Sequence, residues 1–159
     1  MHRILFVCMG NICRSPAAEG MLRARLMRDA PHWLDQLEID SAGTHGYHVG
    51  RAPDPRMQQA AGARGIDLGA LRARVVVPED FQRFSQILAM DEANLVHLLA
   101  MRPASSAAVP TLFLGLGAAG RSVPDPYYGG DQGFERVLDL LDEGCDALIA
   151  HLHLLMATA

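Results

Sequence analysis

Short apolar runs alternate with helical segments along the whole chain, and that order restricts the folds open to it. "RILFV" (3–7), "LEIDSAG" (37–43), "SQILAM" (85–90) and "AVPTLFL" (108–114) read as four β-strands. After the first, Ser15 is placed to cap a helix and Pro16 suits its first position. Met21, Leu22 and Leu26 give that helix an inward face as far as about Arg28. A loop rich in Gly, Pro and His (43–55) leads to Asp54, a helix cap, and a helix from Pro55 to Arg64. "RVVV" (74–77) is a brief extended piece, "PEDFQRF" (78–84) a short helix, and residues 91–101 the helix after the third strand. The last helix, 130–156, carries Phe134, Leu138, Leu141, Cys145, Leu148, Leu152 and Leu155 in alternating steps of four and three. That stripe is a packing face, with Asp131, Glu135, Asp139, Asp142 and Asp146 on the other, solvated faces. Alternation of this kind predicts an α/β fold, a parallel sheet with helices on both faces, and 159 residues suit a single domain, 1–159. In such folds ligands sit beyond the carboxyl ends of the strands, where Cys8, Ser41 and Asp91 fall.

Composition removes several functions. The net charge of −4 includes no basic stripe of the kind nucleic acid requires. All fourteen basic residues are Arg, which excludes a Schiff-base lysine, a Walker A lysine and a kinase strand lysine. Three cysteines do not make a disulfide framework. No apolar run is long enough for a membrane span, and "MHRILFVC" lacks a signal-peptide cleavage region, so a cytoplasmic protein is expected.

"FVCMGNICRSP" (6–16) carries the chemistry. A loop curling from the end of a strand to the start of a helix directs its N–H groups inward, where they join the free amides of the helix terminus. The result is an anion cradle made by Met9, Gly10, Asn11, Ile12, Cys13, Arg14 and Ser15. Gly10 permits close backbone approach and Asn11 tolerates a left-handed conformation. Arg14 can grip two oxygens of a tetrahedral dianion. In such surroundings a thiol ionises at a pKa of roughly 3.5–7.5 rather than about 8.5, so Cys8 is expected as a thiolate placed for in-line attack on phosphorus. Ser15 can donate a hydrogen bond to that sulfur.

"VCMGNICRSP", "DSAGTHGYHVGRAPDPR", "ILAMDEANL" and "VPDPYYGG" together resemble the low-molecular-weight protein tyrosine phosphatases, in family order and over essentially the whole chain. The resemblance implies a four-stranded parallel sheet flanked by helices, in agreement with the four strands counted above. It implies that Cys8 forms a phosphocysteine and that Asp125 protonates the leaving phenolate, then acts as base towards water. General acid catalysis of this kind contributes about 10²–10⁴. Pro124 and Pro126 stiffen the backbone around Asp125. By resemblance Tyr47, Tyr127 and Tyr128 line the pocket mouth, and Ser41 and Asn11 brace the loop. Ile12 faces the pocket and favours phosphotyrosine over phosphoarginine, since relatives acting on phosphoarginine tend to have threonine there. Cys13 matches a loop cysteine that in relatives forms a reversible disulfide with the nucleophile. No cofactor or metal is implied. The partners implied are a tyrosine-phosphorylated protein as substrate and inorganic phosphate as product and competitive ligand, without nucleic acid or membrane, on a monomer or weak dimer.

The chain departs from the pattern at Leu71 in "GALRARV", where many relatives carry a histidine that supports the loop. Among the remaining signals, His45 and His48 lack a third metal ligand, Asp91 reads as a helix cap or loop brace, "GLG" (115–117) as a turn and Cys145 as core. Two other functions compete with hydrolysis. Arsenate reductase needs further cysteines to relay a disulfide, and only Cys145 lies outside the loop. A non-catalytic phosphoprotein-binding module need not keep Asp125 beside Cys8 and Arg14.

Overall fold

The computed structural model describes residues 1–116, 121–127 and 129–157. The elements are β1 (His2–Cys8), α1 (Arg14–Asp29), β2 (Leu37–Gly43), α2 (Pro55–Gly62), α3 (Asp80–Arg83), β3 (Gln86–Ala89), α4 (Glu92–Met101), β4 (Thr111–Leu112) and α5 (Asp131–Ala157). The four strands form one parallel sheet in the order β2-β1-β3-β4. Successive residues of β1 serve opposite faces, as the period of a strand requires. Ile4, Phe6 and Cys8 join the core beneath α1, α2 and α5, whereas Leu5 and Val7 join a second core with Phe81, Phe84 and Leu98 of the α3–α4 side. The α5 stripe is buried from Phe134 to Leu152, with Cys145 fully enclosed.

The fourth strand is much shorter than its sequence suggests. Only Thr111 and Leu112 pair, with Leu88 and Ala89, before the chain turns into a 3-10 segment at Phe113–Leu116. Pro110 has no N–H for a ladder, β4 lies at the sheet edge, and Phe113 turns under the sheet to meet Phe6 edge-on at 5.2 Å. The extended piece 74–77 contributes a single parallel bridge, Gly43 to Val75. Glu135, Asp139, Asp142 and Asp146 of α5 are exposed, yet they hold arginines: Glu135 and Asp139 pair with Arg64, and Asp142 and Asp146 with Arg25. Among the described residues no helix is long and apolar enough to cross a membrane.

The strand order positions the site. The chain passes from β1 to β2 on one side and then crosses from β2 to β3 on the other side of β1, so a crevice opens beyond the carboxyl end of β1. Cys8 ends β1, Gly43 ends β2, and Asp91 follows β3 by two residues.

Candidate active site

The loop between β1 and α1 is fastened before it turns. Thr44 N–H donates to Cys8 O (2.9 Å) and His45 N–H to Met9 O (3.0 Å), which continues the β1–β2 pairing into the loop. Gly43 makes this approach possible: a Cβ there would lie 2.7 Å from Met9 O and 3.2 Å from Asn11 N. Asn11 then takes the left-handed conformation (φ 57°), and its amide donates to Cys8 Sγ at 3.3 Å.

Ser15 is not the cap the sequence suggested. Helix α1 starts at Arg14 with Cys13 in the capping position and no side-chain cap. The Ser15 hydroxyl turns back instead to Cys8 Sγ, 3.0 Å away. A chain of hydrogen bonds fixes its polarity. The Arg74 N–H can only donate, and it meets Asn11 Oδ1 at 3.0 Å, which fixes the orientation of the Asn11 amide. Asn11 Nδ2 therefore points to Ser15 Oγ (2.7 Å) and Ser41 Oγ (3.0 Å) and donates to both. The Ser41 proton goes to Glu19 Oε1 (2.8 Å). The Ser15 proton is left to face sulfur, with Ala42 O at 3.4 Å as its weaker alternative. Sulfur is thus met by one amide and one hydroxyl donor. Leu71 packs against the core, and Asn11 makes these three side-chain bonds without a histidine at that position. Glu19 is buried, which raises its carboxyl above the ordinary range against the opposing bonds from Ser41 and Arg23.

Arg14 is buried beneath the loop. Its Nη1 donates to Asp91 Oδ2 (2.6 Å) and to Val123 O (3.0 Å). Asp91 also caps α4, accepting from Asn94 N while the Asn94 side chain accepts from Asp91 N. It therefore fills both roles considered for it. Burial works against the Arg14 charge, but Cys8, Asp91 and Asp125 outweigh it and hold the guanidinium more firmly protonated than usual. Asp125 Oδ2 lies 3.7 Å from Arg14 Nη2. Its segment is attached to the sheet by Val123 N–H, which donates to Met90 O at 2.7 Å.

Cys8, Met9, Gly10, Ile12, Cys13 and Arg14 form the floor of a cavity of about 280 Å³, with Asp125, Tyr47, His48 and Tyr127 as its walls. Tyr47 is exposed and stacks on His45 (centroids 5.5 Å, 9° between planes), and His45 also meets His97 at 5.4 Å. Tyr128 lies outside the described residues, as do residues 117–120 at the end of the "GLG" turn. Asp54 caps α2 as read, accepting from Arg56 N at 2.8 Å. Cys8, Cys13 and Cys145 form no disulfide. Burial, then the charges of Asp54, Cys8 and Asp125, push the Cys13 thiol well above its usual pKa.

The structure adds residues that sequence reasoning passed over. Glu19 stands four positions after Ser15, on the same helical face, and that spacing was legible. His48, weighed in the sequence only as a metal ligand, sits one residue beyond Tyr47 and packs over Gly10, where a Cβ would come within 2.9 Å of its ring. Arg74 and Arg56 enter only through tertiary contacts. A slot with a sulfur and a guanidinium at its base and a carboxylate and aromatic rings in its walls can bind a tetrahedral oxyanion bearing a flat apolar group, and can move a proton to or from it.

A sequence model described as low molecular weight phosphotyrosine protein phosphatase matches residues 3–155. The human low molecular weight phosphotyrosine protein phosphatase is 38% identical over 157 residues, covering 94% of this chain and 95% of that one. A protein tyrosine phosphatase from Entamoeba histolytica, crystallised with Hepes in its active site, superposes with a TM-score of 0.89 at 39% identity, covering 96% of this chain and 97% of its own. A Drosophila arginine phosphatase superposes with a TM-score of 0.84 at 31% identity, covering 94% of this chain and 96% of its own.

Proposed function

Because the chain belongs to the low molecular weight phosphotyrosine protein phosphatase family, we propose that it hydrolyses phosphotyrosine in proteins, and small aryl phosphates, through a phosphocysteine on Cys8. The observation that carries this reading is that Cys8, Arg14 and Asp125 line one cavity.

The phosphate dianion enters the loop at 8–14, where the amides and Arg14 take its equatorial oxygens. Asp91 and Val123 O engage Nη1, so the guanidinium is already oriented when substrate arrives. Sulfur attacks phosphorus in line, the S–P bond forms as the P–O(aryl) bond breaks, and Asp125 delivers its proton to the departing phenolate. A phenol of pKa about 10 leaves slowly as its anion, which makes that proton valuable. Asp125, now a carboxylate, takes a proton from water as the water oxygen attacks phosphorus, and thiolate departs. Donation from Ser15 and the Asn11 amide stabilises sulfur as nucleophile and again as leaving group. Inorganic phosphate is the product and competes for the same loop.

The apolar surfaces of Ile12 on the floor and of Tyr47 and Tyr127 on the walls favour an aryl group above the phosphate over the long polar chain of phosphoarginine. Relay of a disulfide from Cys8 out to Cys145, as arsenate reduction would need, is opposed by the position of Cys145, fully enclosed in the core and outside the cavity that Cys8 and Cys13 line. Cys13 serves as a resolving thiol. Peroxide converts the Cys8 thiolate to a sulfenic acid, and attack by the Cys13 sulfur releases water and leaves a Cys8–Cys13 disulfide that a dithiol can reduce. Cys8→Ser tests the reading: turnover of p-nitrophenyl phosphate should vanish while the circular dichroism spectrum is kept, and undiminished turnover would overturn it.

A further inference from the structure

A line of contacts runs from the phosphate loop to the carboxylate of Asp125 through a side chain that has no part in the steps above. The Asp54 N–H donates to Ile12 O at 2.8 Å. Arg56 grips the Asp54 carboxylate as a fork, Nε to Oδ1 at 3.1 Å and Nη2 to Oδ2 at 2.8 Å. The same Nη2 donates to Tyr127 O at 3.0 Å, and the Tyr127 N–H donates to Asp125 Oδ1, also at 3.0 Å. The guanidinium carbon lies 5.5 Å from the centre of the Tyr127 ring and 4.7 Å from that of Phe134. One side chain therefore joins α2, the segment carrying Asp125, and the first turn of α5.

The segment 123–127 has neither helix nor strand to hold it. Its first residue is anchored by Met90 O and by Arg14, through bonds at Val123 N and O. Its last, Tyr127, is anchored at the carbonyl by Arg56. Asp125 lies midway between these anchors, and each leads back to the loop that holds the sulfur. We infer that Arg56 is a positioning residue for Asp125, fixing the distance between the acid and the leaving group above Cys8. The inference rests on the proposed role of Asp125. A lysine cannot replace it fully, because a single ammonium lacks the planar fork that serves Asp54 and Tyr127 together.

The test compares kcat/KM for phenyl phosphate and p-nitrophenyl phosphate in the parent enzyme, Arg56→Ala, Arg56→Lys, Asp125→Ala and the Arg56→Ala/Asp125→Ala double variant. Inhibition by inorganic phosphate is measured in each. Arg56→Ala should lower kcat/KM for phenyl phosphate by about tenfold, the effect of a small misplacement of a reacting group, and lower it far less for the better leaving group. Arg56→Lys should fall between, phosphate inhibition should be unchanged, and Arg56→Ala should cost nothing further once Asp125 is gone. Equal loss on both substrates, weakened phosphate binding, or a full additional loss in the double variant would overturn the inference. Should Arg56→Ala not fold, Arg56→Lys and Arg56→Gln carry the same comparison. If Asp125→Ala itself shows no dependence on leaving group, the acid assignment fails and this inference falls with it, a result distinct from failure at Arg56 alone.

Discussion

Ser15 Oγ stands 3.0 Å from Cys8 Sγ, and the hydroxyl proton is directed to sulfur because Asn11 already donates to the same oxygen from 2.7 Å. The direction follows from one backbone amide, that of Arg74, which fixes the Asn11 side chain. A hydrogen bond to a charged group contributes about 1.5–3 kcal/mol, which corresponds to roughly 10–100-fold in rate when it is made to the departing thiolate. Ser15→Ala should therefore lower kcat by about that factor while leaving the affinity for inorganic phosphate near the parent value. Pre-steady-state kinetics on p-nitrophenyl phosphate separate the two steps, and an unaltered rate of phosphoenzyme breakdown would show that the hydroxyl has no such role.

Cys13 supplies a second expectation. It lies in the same loop as Cys8 and lines the same cavity. Peroxide should inactivate the parent enzyme reversibly, with a Cys8–Cys13 disulfide detectable by peptide mapping. Cys13→Ser should lose activity to peroxide that dithiothreitol no longer restores. Full recovery of that variant would remove Cys13 from the redox chemistry.

Much of this site was legible in the sequence because its parts are local. A strand, a six-residue step from Cys8 to Arg14 and a helix start define the cradle without reference to the rest of the chain. Other parts were hidden for physical reasons. Ser15 has the chemistry of a helix cap, but in the first turn of α1 its hydroxyl meets a stronger claim from sulfur and Asn11. The run 108–114 has strand character throughout, yet Pro110 and the edge position limit pairing to Thr111 and Leu112. Arg56 and Arg74 are unremarkable in sequence, and only the fold brings them to Tyr127 and Asn11.

Asp54 makes a prediction about pH. Its hydrogen bond from Arg56, together with the backbone bonds at the start of α2, outweighs burial and holds the carboxyl below the ordinary carboxylate range. Folding therefore favours the ionised form. The stabilisation is complete above the unfolded value of about 3.9 and is lost as pH falls through the lower native value. Asp54→Asn keeps a capping side chain but removes the charge, so it should destabilise the protein by about 1 kcal/mol or less at pH 7. Urea midpoints measured for both proteins should converge as the pH is lowered into that window. A gap that stays constant or widens on acidification would contradict the ion pair's contribution.

The most direct measurement concerns the bond between sulfur and phosphorus. Asp125→Ala, mixed with p-nitrophenyl phosphate and quenched in acid within the first turnover, is digested and its peptides are weighed. The phosphoryl mass should appear on the peptide containing Cys8, and it should be absent from Cys8→Ser treated in the same way. Phosphate found on another residue, or hydrolysis proceeding with no covalent adduct at any quench time, would contradict nucleophilic attack by Cys8.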